Sequence, residues 1–144
     1  MAQEYLKVFR SVLEGPRQFA DEVHGIYPYG WTQDRVAVTH APGPGKRELE
    51  LVFDVPAWLP HESVTIRSSS GGGKTETRVL GRGQAVTIRR DLSSDGGLTE
   101  FAVEPLFCPK SLGMNDDDRA LVCVCMACRI ISEGGAQDLL KKMS

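Results

Sequence analysis

The sequence of 144 residues lacks the signatures that announce chemistry. It holds no catalytic triad, no phosphate-binding loop and no complete metal motif. The three histidines, His24, His40 and His61, are far apart without i,i+4 or His-x-His spacing. No nucleophile–base pair is therefore named, although residues distant in sequence can meet in space. No apolar run approaches the roughly 20 residues that span a bilayer. Glu4, Lys7, Arg10 and Glu14 interrupt the amino terminus where a secretory signal would need an apolar core. A net charge of −2 supplies no field for a phosphate backbone, and Arg89-Arg90 and Lys141-Lys142 are pairs rather than a basic face. Nucleic acid is therefore not an expected partner, and there are no convincing internal repeats.

What is present is ordinary in amount and orderly in arrangement. Hydrophobic residues make up 41% and charged residues 25%, which excludes a disordered chain. One domain of this size can bury roughly 70% of its extended surface. Four cysteines without a secretory signal fit free thiols in a reducing compartment, so a cytoplasmic location is expected.

Three runs alternate polar and apolar side chains: Arg47–Asp54, Glu62–Arg67 and Gln84–Arg89. In extended backbone that period sends the apolar set to one face and the charged set to water. Val36–His40, Thr77–Leu80 and Leu98–Val103 add further strands, with Gly, Pro, Ser and Asp clusters between them. The pattern predicts an all-β fold, an antiparallel two-sheet sandwich of jelly-roll-like type with about seven to eight strands over residues 24–132. Arg119–Ile131 is apolar on both faces up to Cys128, which predicts a central strand covered on both sides. Ahead of the strands, Tyr5, Leu6, Phe9, Val12 and Leu13 fall on one helical stripe. A short amphipathic helix is expected within residues 1–15, ended by Gly15-Pro16 and lying on the outer face of that central strand. The tail, 133–144, is expected to form a short helix over Gln137–Met143.

Each candidate chemistry has a plainer explanation beside it. Cys108, Cys123, Cys125 and Cys128 superficially suggest a zinc site, yet thiolate pairs normally sit on turns so that they converge. In a regular strand Cys123 and Cys125 share one face and Cys128 takes the other, so convergence would need a bulge between Met126 and Cys128. Small buried thiols acting as core residues explain them without strain. Gly71-Gly72-Gly73-Lys74-Thr75 ends like a phosphate loop, but Ser68 stands where the first glycine is needed and a strand rather than a helix follows. Asn115-Asp116-Asp117-Asp118 could hold calcium only with further acidic ligands such as Asp91 and Asp95. A solvated turn capping the strand at Arg119 is the commoner case. Glu100 and Glu104, on one strand face, are explained by arginines opposite them. No catalytic residue, metal ligand or cofactor follows from these patterns.

The rings are more suggestive. Tyr27, Tyr29 and Trp31 stand within one glycine-bracketed turn, close in sequence to Asp34 and Arg35. Sugars offer flat C–H faces that stack on such rings, and their hydroxyls seek carboxylates and guanidinium groups. Alternatively, Trp31 and Trp58 are corner plugs that close the ends of the core.

Three stretches taken together resemble a known module. They are Gly25–Trp31 followed by Asp34-Arg35-Val36, then Val55-Pro56-Ala57-Trp58-Leu59-Pro60, and then Phe107–Gly113 running through Asp118-Arg119-Ala120-Leu121-Val122. This order of a Gly-Trp turn, a Pro-x-Trp-Leu-Pro corner and a Phe-x-Pro-x-x-Leu-Gly lead-in is similar to the small β-sandwich module attached to bacterial glycosyltransferases and related enzymes of surface-polysaccharide assembly. The cysteine-rich strand and the serine–glycine hairpin tip depart from that pattern. The resemblance implies a non-catalytic accessory role, binding a glycan or bracing a partner glycosyltransferase, and carries over no site residues; the ligand-binding candidates, Tyr27, Tyr29, Trp31, Asp34 and Arg35, come from the aromatic turn itself. A protein-interaction or structural domain, docking through its amino-terminal helix and a sheet face, is the rival expectation. A small metal-dependent enzyme using the cysteines or the aspartate loop is a weaker third.

Overall fold

The computed structural model describes residues 20–70 and 75–140, and it is all-β with two antiparallel sheets. Nine strands form among these residues: β1 Glu22–Ile26, β2 Thr32–His40, β3 Arg47–Asp54, β4 Ser63–Ser70, β5 Glu76–Gly81, β6 Ala85–Leu92, β7 Gly97–Glu104, β8 Val124–Ser132 and β9 Gly135–Asp138. One sheet has the order β1-β2-β7-β4-β5 and the other β6-β3-β8-β9. The helix expected within residues 1–15 lies outside the described residues.

The period-two patterns set which face is inward. On β3, Leu49, Leu51 and Phe53 are fully buried, as are Val64 and Ile66 on β4. The alternate residues of β3 face outward in register with charges on its neighbours. Glu50 pairs with Arg89 of β6 at 2.7 Å and Arg129 of β8 at 3.2 Å. On the other sheet Arg35 meets Glu100 and Arg67 meets Glu104, each at 3.4 Å. The two sheets share one core, and the rings of Phe53 and Phe101 approach across it at 5.7 Å.

Three features differ from the sequence reading. Glu22–Ile26 forms an edge strand against β2 that a five-residue segment ending in an aromatic turn did not announce. The tail is not helical at Gln137: Gly135–Asp138 turns back as β9 and pairs with β8, carrying Leu139 into the core. Residues 141–144, the rest of that expected helix, lie outside the described residues. Finally, β8 is irregular. Val52 opposes Ala127 while Phe53 opposes Cys125, so Met126 bulges out of the ladder. The extra residue resets the alternation, and Cys123, Cys125 and Cys128 are all buried.

A second bulge lies at the start of β2. The register jumps from His24↔Ala37 to Ile26↔Thr32, leaving Gln33, Asp34 and Arg35 exposed. Gly25 makes this possible: its φ is +91°, and a Cβ there would stand 1.9 Å from the Arg35 carbonyl oxygen.

Candidate functional site

The strands β1, β2, β3 and β8 all bring one terminus to the same end of the molecule, and the aromatic residues collect there. Tyr27–Trp31 is a tight turn closed by Tyr27 N–H donating to the Trp31 carbonyl at 2.7 Å and Gly30 N–H donating to the Tyr27 carbonyl at 3.0 Å. Pro28 starts a single 3₁₀ turn, for which its ring is already set. Beyond the turn the chain crosses between sheets. Trp31 bridges Val124, Thr32 N–H donates to the Cys123 carbonyl at 2.8 Å, and Val122 N–H donates to the Thr32 carbonyl at 3.1 Å. The turn therefore rests directly on β8. Gly30 permits that approach: its φ is +96°, and a Cβ would lie 2.8 Å from the Cys125 carbonyl oxygen.

Three rings form a triangle at this end. Trp31 lies 5.6 Å from Trp58 and 5.8 Å from Phe107, and Trp58 lies 6.3 Å from Phe107. Tilted and edge-on geometries of this kind suit the ring quadrupoles. Phe107 is buried, Trp31 is half-buried against the core, and Trp58 is 55% exposed. His61 borders Phe107 at 6.4 Å, and Arg82 holds the corner by donating to the carbonyls of Pro60 and His61 at 3.1 Å each. The corner plug is thus Trp31 with Phe107, while Trp58 turns a face to solvent.

Tyr29 is the outermost residue of the turn, 99% exposed and at φ +72°. The left-handed region is unfavourable for a bulky side chain and costs of order 1–3 kcal/mol. Nothing in the core compensates for that strain, since the ring packs on nothing buried. Tyr27, half-buried, lies under the Arg119 guanidinium at 4.8 Å from its ring centre. Arg119 is fixed in turn by Asp117, whose carboxylate accepts from Arg119 Nε at 2.9 Å, from a terminal guanidinium nitrogen at 2.8 Å and from the Arg119 backbone N–H at 3.0 Å. These bonds hold the Asp117 carboxyl down at about 2.

Of the residues expected to form the site, Tyr27, Tyr29 and Trp31 share the turn. Asp34 and Arg35 stand on the bulged start of β2, where Arg35 is directed to Glu100 rather than to a ring. The cation that meets the turn is Arg119. Trp58, Phe107 and Arg119 are the contributions that the spacing within a single turn did not reveal. The sequence signals were indirect: Trp58 stood out as a corner plug and Arg119 as the residue after an aspartate turn, while nothing placed Phe107 beside them.

The metal readings find no support in the arrangement. Asp117 is committed to Arg119, and no group of three His, Cys, Asp or Glu side chains gathers among the described residues. Burial pushes the Cys123 thiol up to about 11 and the Cys125 thiol up to about 12, and it raises Cys128 as well. Thiols so reluctant to ionise behave as core hydrophobes. After the glycine-rich tip, β5 begins at Glu76 and pairs with β4, so no helix follows to hold a phosphate. No helix among the described residues is long and apolar enough to cross a membrane. No family model, curated protein or solved structure matches the chain.

Proposed function

We propose that this chain is a non-catalytic, carbohydrate-associated β-sandwich module, an accessory to a cytoplasmic glycosyltransferase of bacterial surface-polysaccharide assembly. The observation that carries the reading is Trp58, a residue more than half exposed whose ring meets those of Trp31 and Phe107. A rigid, outward-facing indole on an ordered support loses little freedom when a sugar stacks on it. Tyr29, held outward in a strained backbone conformation, is a second ring available to the same ligand. Asp34 and Arg35 on the exposed start of β2 are polar groups for sugar hydroxyls, and the Asp117–Arg119 fork packs on Tyr27 in the turn. The resemblance in the Gly-Trp turn, the Trp58 corner and the Phe107 lead-in points to the same role.

A glycan-array screen of the intact protein, followed by titration calorimetry on the hits, tests the proposal. Binding of a hexopyranose-containing glycan is expected. Trp58→Ala is expected to weaken it at least about tenfold, equivalent to ~1.4 kcal/mol, and Tyr29→Ala to weaken it less. No glycan binding, or binding indifferent to both substitutions, overturns the reading.

A further inference from the structure

We infer that the β6 edge is the seat of a second copy of this chain, the two β6 strands pairing antiparallel through Ile88–Leu92. An edge strand leaves one side of its backbone N–H and C=O groups without a strand neighbour. The edges here are β1 and β5 in one sheet and β6 and β9 in the other. All but β6 carry features that discourage pairing. β1 is bulged at Gly25, and β9 has only 4 residues. β5 sets Glu76 and Arg78 on its inward side, opposite Ser68 and Ile66, and inward charges blunt an edge. By contrast, β6 runs 8 residues in unbroken register with β3. Its inward cation, Arg90, is turned back on its own molecule, donating to the hydroxyls of Ser68 and Ser70 on β4.

The outward side chains of β6 choose the occupant. Arg89 and Asp91 are both exposed there. Arg89 stands opposite Glu50 of β3 and pairs with it, whereas Asp91 stands opposite Glu48, a like charge. Neither Glu48 nor Asp91 has an ion pair among the described residues. Like charges facing each other across a sheet are destabilising, and a cation beside Asp91 relieves them. A two-fold axis at Arg90 supplies that cation: Arg89 then faces the partner's Asp91, and Asp91 faces the partner's Arg89. On the inward side Ile88 meets the partner's Leu92, which is only half-buried in the single chain. Other axes do worse. Centring on Arg89 or Asp91 sets like charges face to face, and centring on Ile88 leaves Asp91 against the partner's Ala85. The contact is small, in the class below about 1,200 Å² that gives transient association. Ile88–Leu92 is the half of β6 that runs toward Ser93 and His40, away from the Trp58 corner, so the rings of both copies stay uncovered.

Sedimentation equilibrium of the full chain, with heteronuclear NMR spectra across the same concentrations, tests the inference. A monomer–dimer equilibrium is expected, with concentration-dependent amide shifts centred on Ile88–Leu92. Asp91→Arg, on an exposed strand position, is expected to weaken the dimer roughly tenfold or more, because the new arginine meets the partner's Arg89. Arg89→Glu is expected to weaken self-association likewise. Mixing the two variants is expected to restore a dimer of one copy of each, since every arginine then faces a carboxylate. A monomer at every concentration overturns the inference. So does self-association indifferent to Asp91→Arg, a mixture that stays monomeric while circular dichroism shows both variants folded, or shifts confined to another surface.

Discussion

The two ends of the molecule are closed by different physics. At one end Trp31, Trp58 and Phe107 meet ring to ring, and burial of apolar surface does the closing. At the other, the inner face turns polar: His40, Ser68 and Thr99 are almost wholly buried. Arg90 of β6 reaches across to Ser68 Oγ at 3.2 Å and Ser70 Oγ at 3.0 Å, and the Ser93 carbonyl accepts from Arg47 at 3.3 Å and lies 3.1 Å from His40 Nε2. Hydrogen bonds close much of this end, although His40 Nδ1 and Arg47 Nε are buried there without a partner among the described residues. Rings close the other end and leave spare faces. The candidate site is placed at the end closed by rings, where Trp58 and Tyr29 stay exposed.

The largest test of that contrast is Phe107→Ala, which removes the buried vertex of the triangle. A loss of about 3–4 kcal/mol is expected in urea unfolding, against less than about 1 kcal/mol for the exposed Trp58→Ala. Equal losses would mean that Trp58 is part of the plug after all. Next comes Gly30→Ala, where the new methyl meets the Cys125 carbonyl and the backbone is left-handed. About 2 kcal/mol of destabilisation is expected, together with displacement of the Tyr27–Trp31 resonances in NMR spectra.

The polar end predicts a pH dependence through His40. Desolvation lowers the His40 pKa from 6.5, the positive charge of Arg47 pushes the same way, and the Ser93 carbonyl and Asp21 oppose them. A base harder to protonate when folded binds its proton more readily unfolded. Its contribution to stability is thus complete above pH 6.5 and declines as the pH falls below that value. Urea midpoints measured across this range should fall on acidification, and His40→Gln should flatten the response. An unchanged slope in that variant would locate the acid sensitivity elsewhere. The smallest expected effect is a gain: Tyr29→Gly relieves the left-handed backbone and stabilises by about 1 kcal/mol, while weakening any glycan affinity. Stabilisation without loss of binding would remove Tyr29 from the site and leave Trp58 alone.

How far the sequence carried can be read at particular residues. Leu49, Leu51, Phe53, Val64 and Ile66 were legible because a half-buried strand obliges alternation. That Glu100 and Glu104 meet arginines was legible for the same reason, but the partners were not: Arg35 and Arg67 both register against Ala102 and reach their carboxylates diagonally. The Met126 bulge was not, because one inserted residue leaves no mark in composition and reverses every inward assignment that follows it. That is why Cys128 was expected on the opposite face from Cys123. The aromatic turn was visible as a cluster, but its partners come from loops 27 and 76 residues away from Trp31. Such proximity depends on sheet order, which local periodicity does not encode. Asp34 and Arg35 were adjacent in sequence, yet the bulge against Gly25 gives them a separate surface.

The distribution of the four cysteine thiols has a practical consequence. Three of them lie in the dry interior and resist ionisation, whereas Cys108 is partly exposed, and the Ser111 hydroxyl and the N–H groups of Ser111 and Lys110 favour its thiolate. A maleimide dye added to the native protein should therefore mark a single position, and it is the position next to Phe107. The chain thus carries a built-in attachment point for a fluorophore at the rim where ligands are to be sought, without any engineered residue.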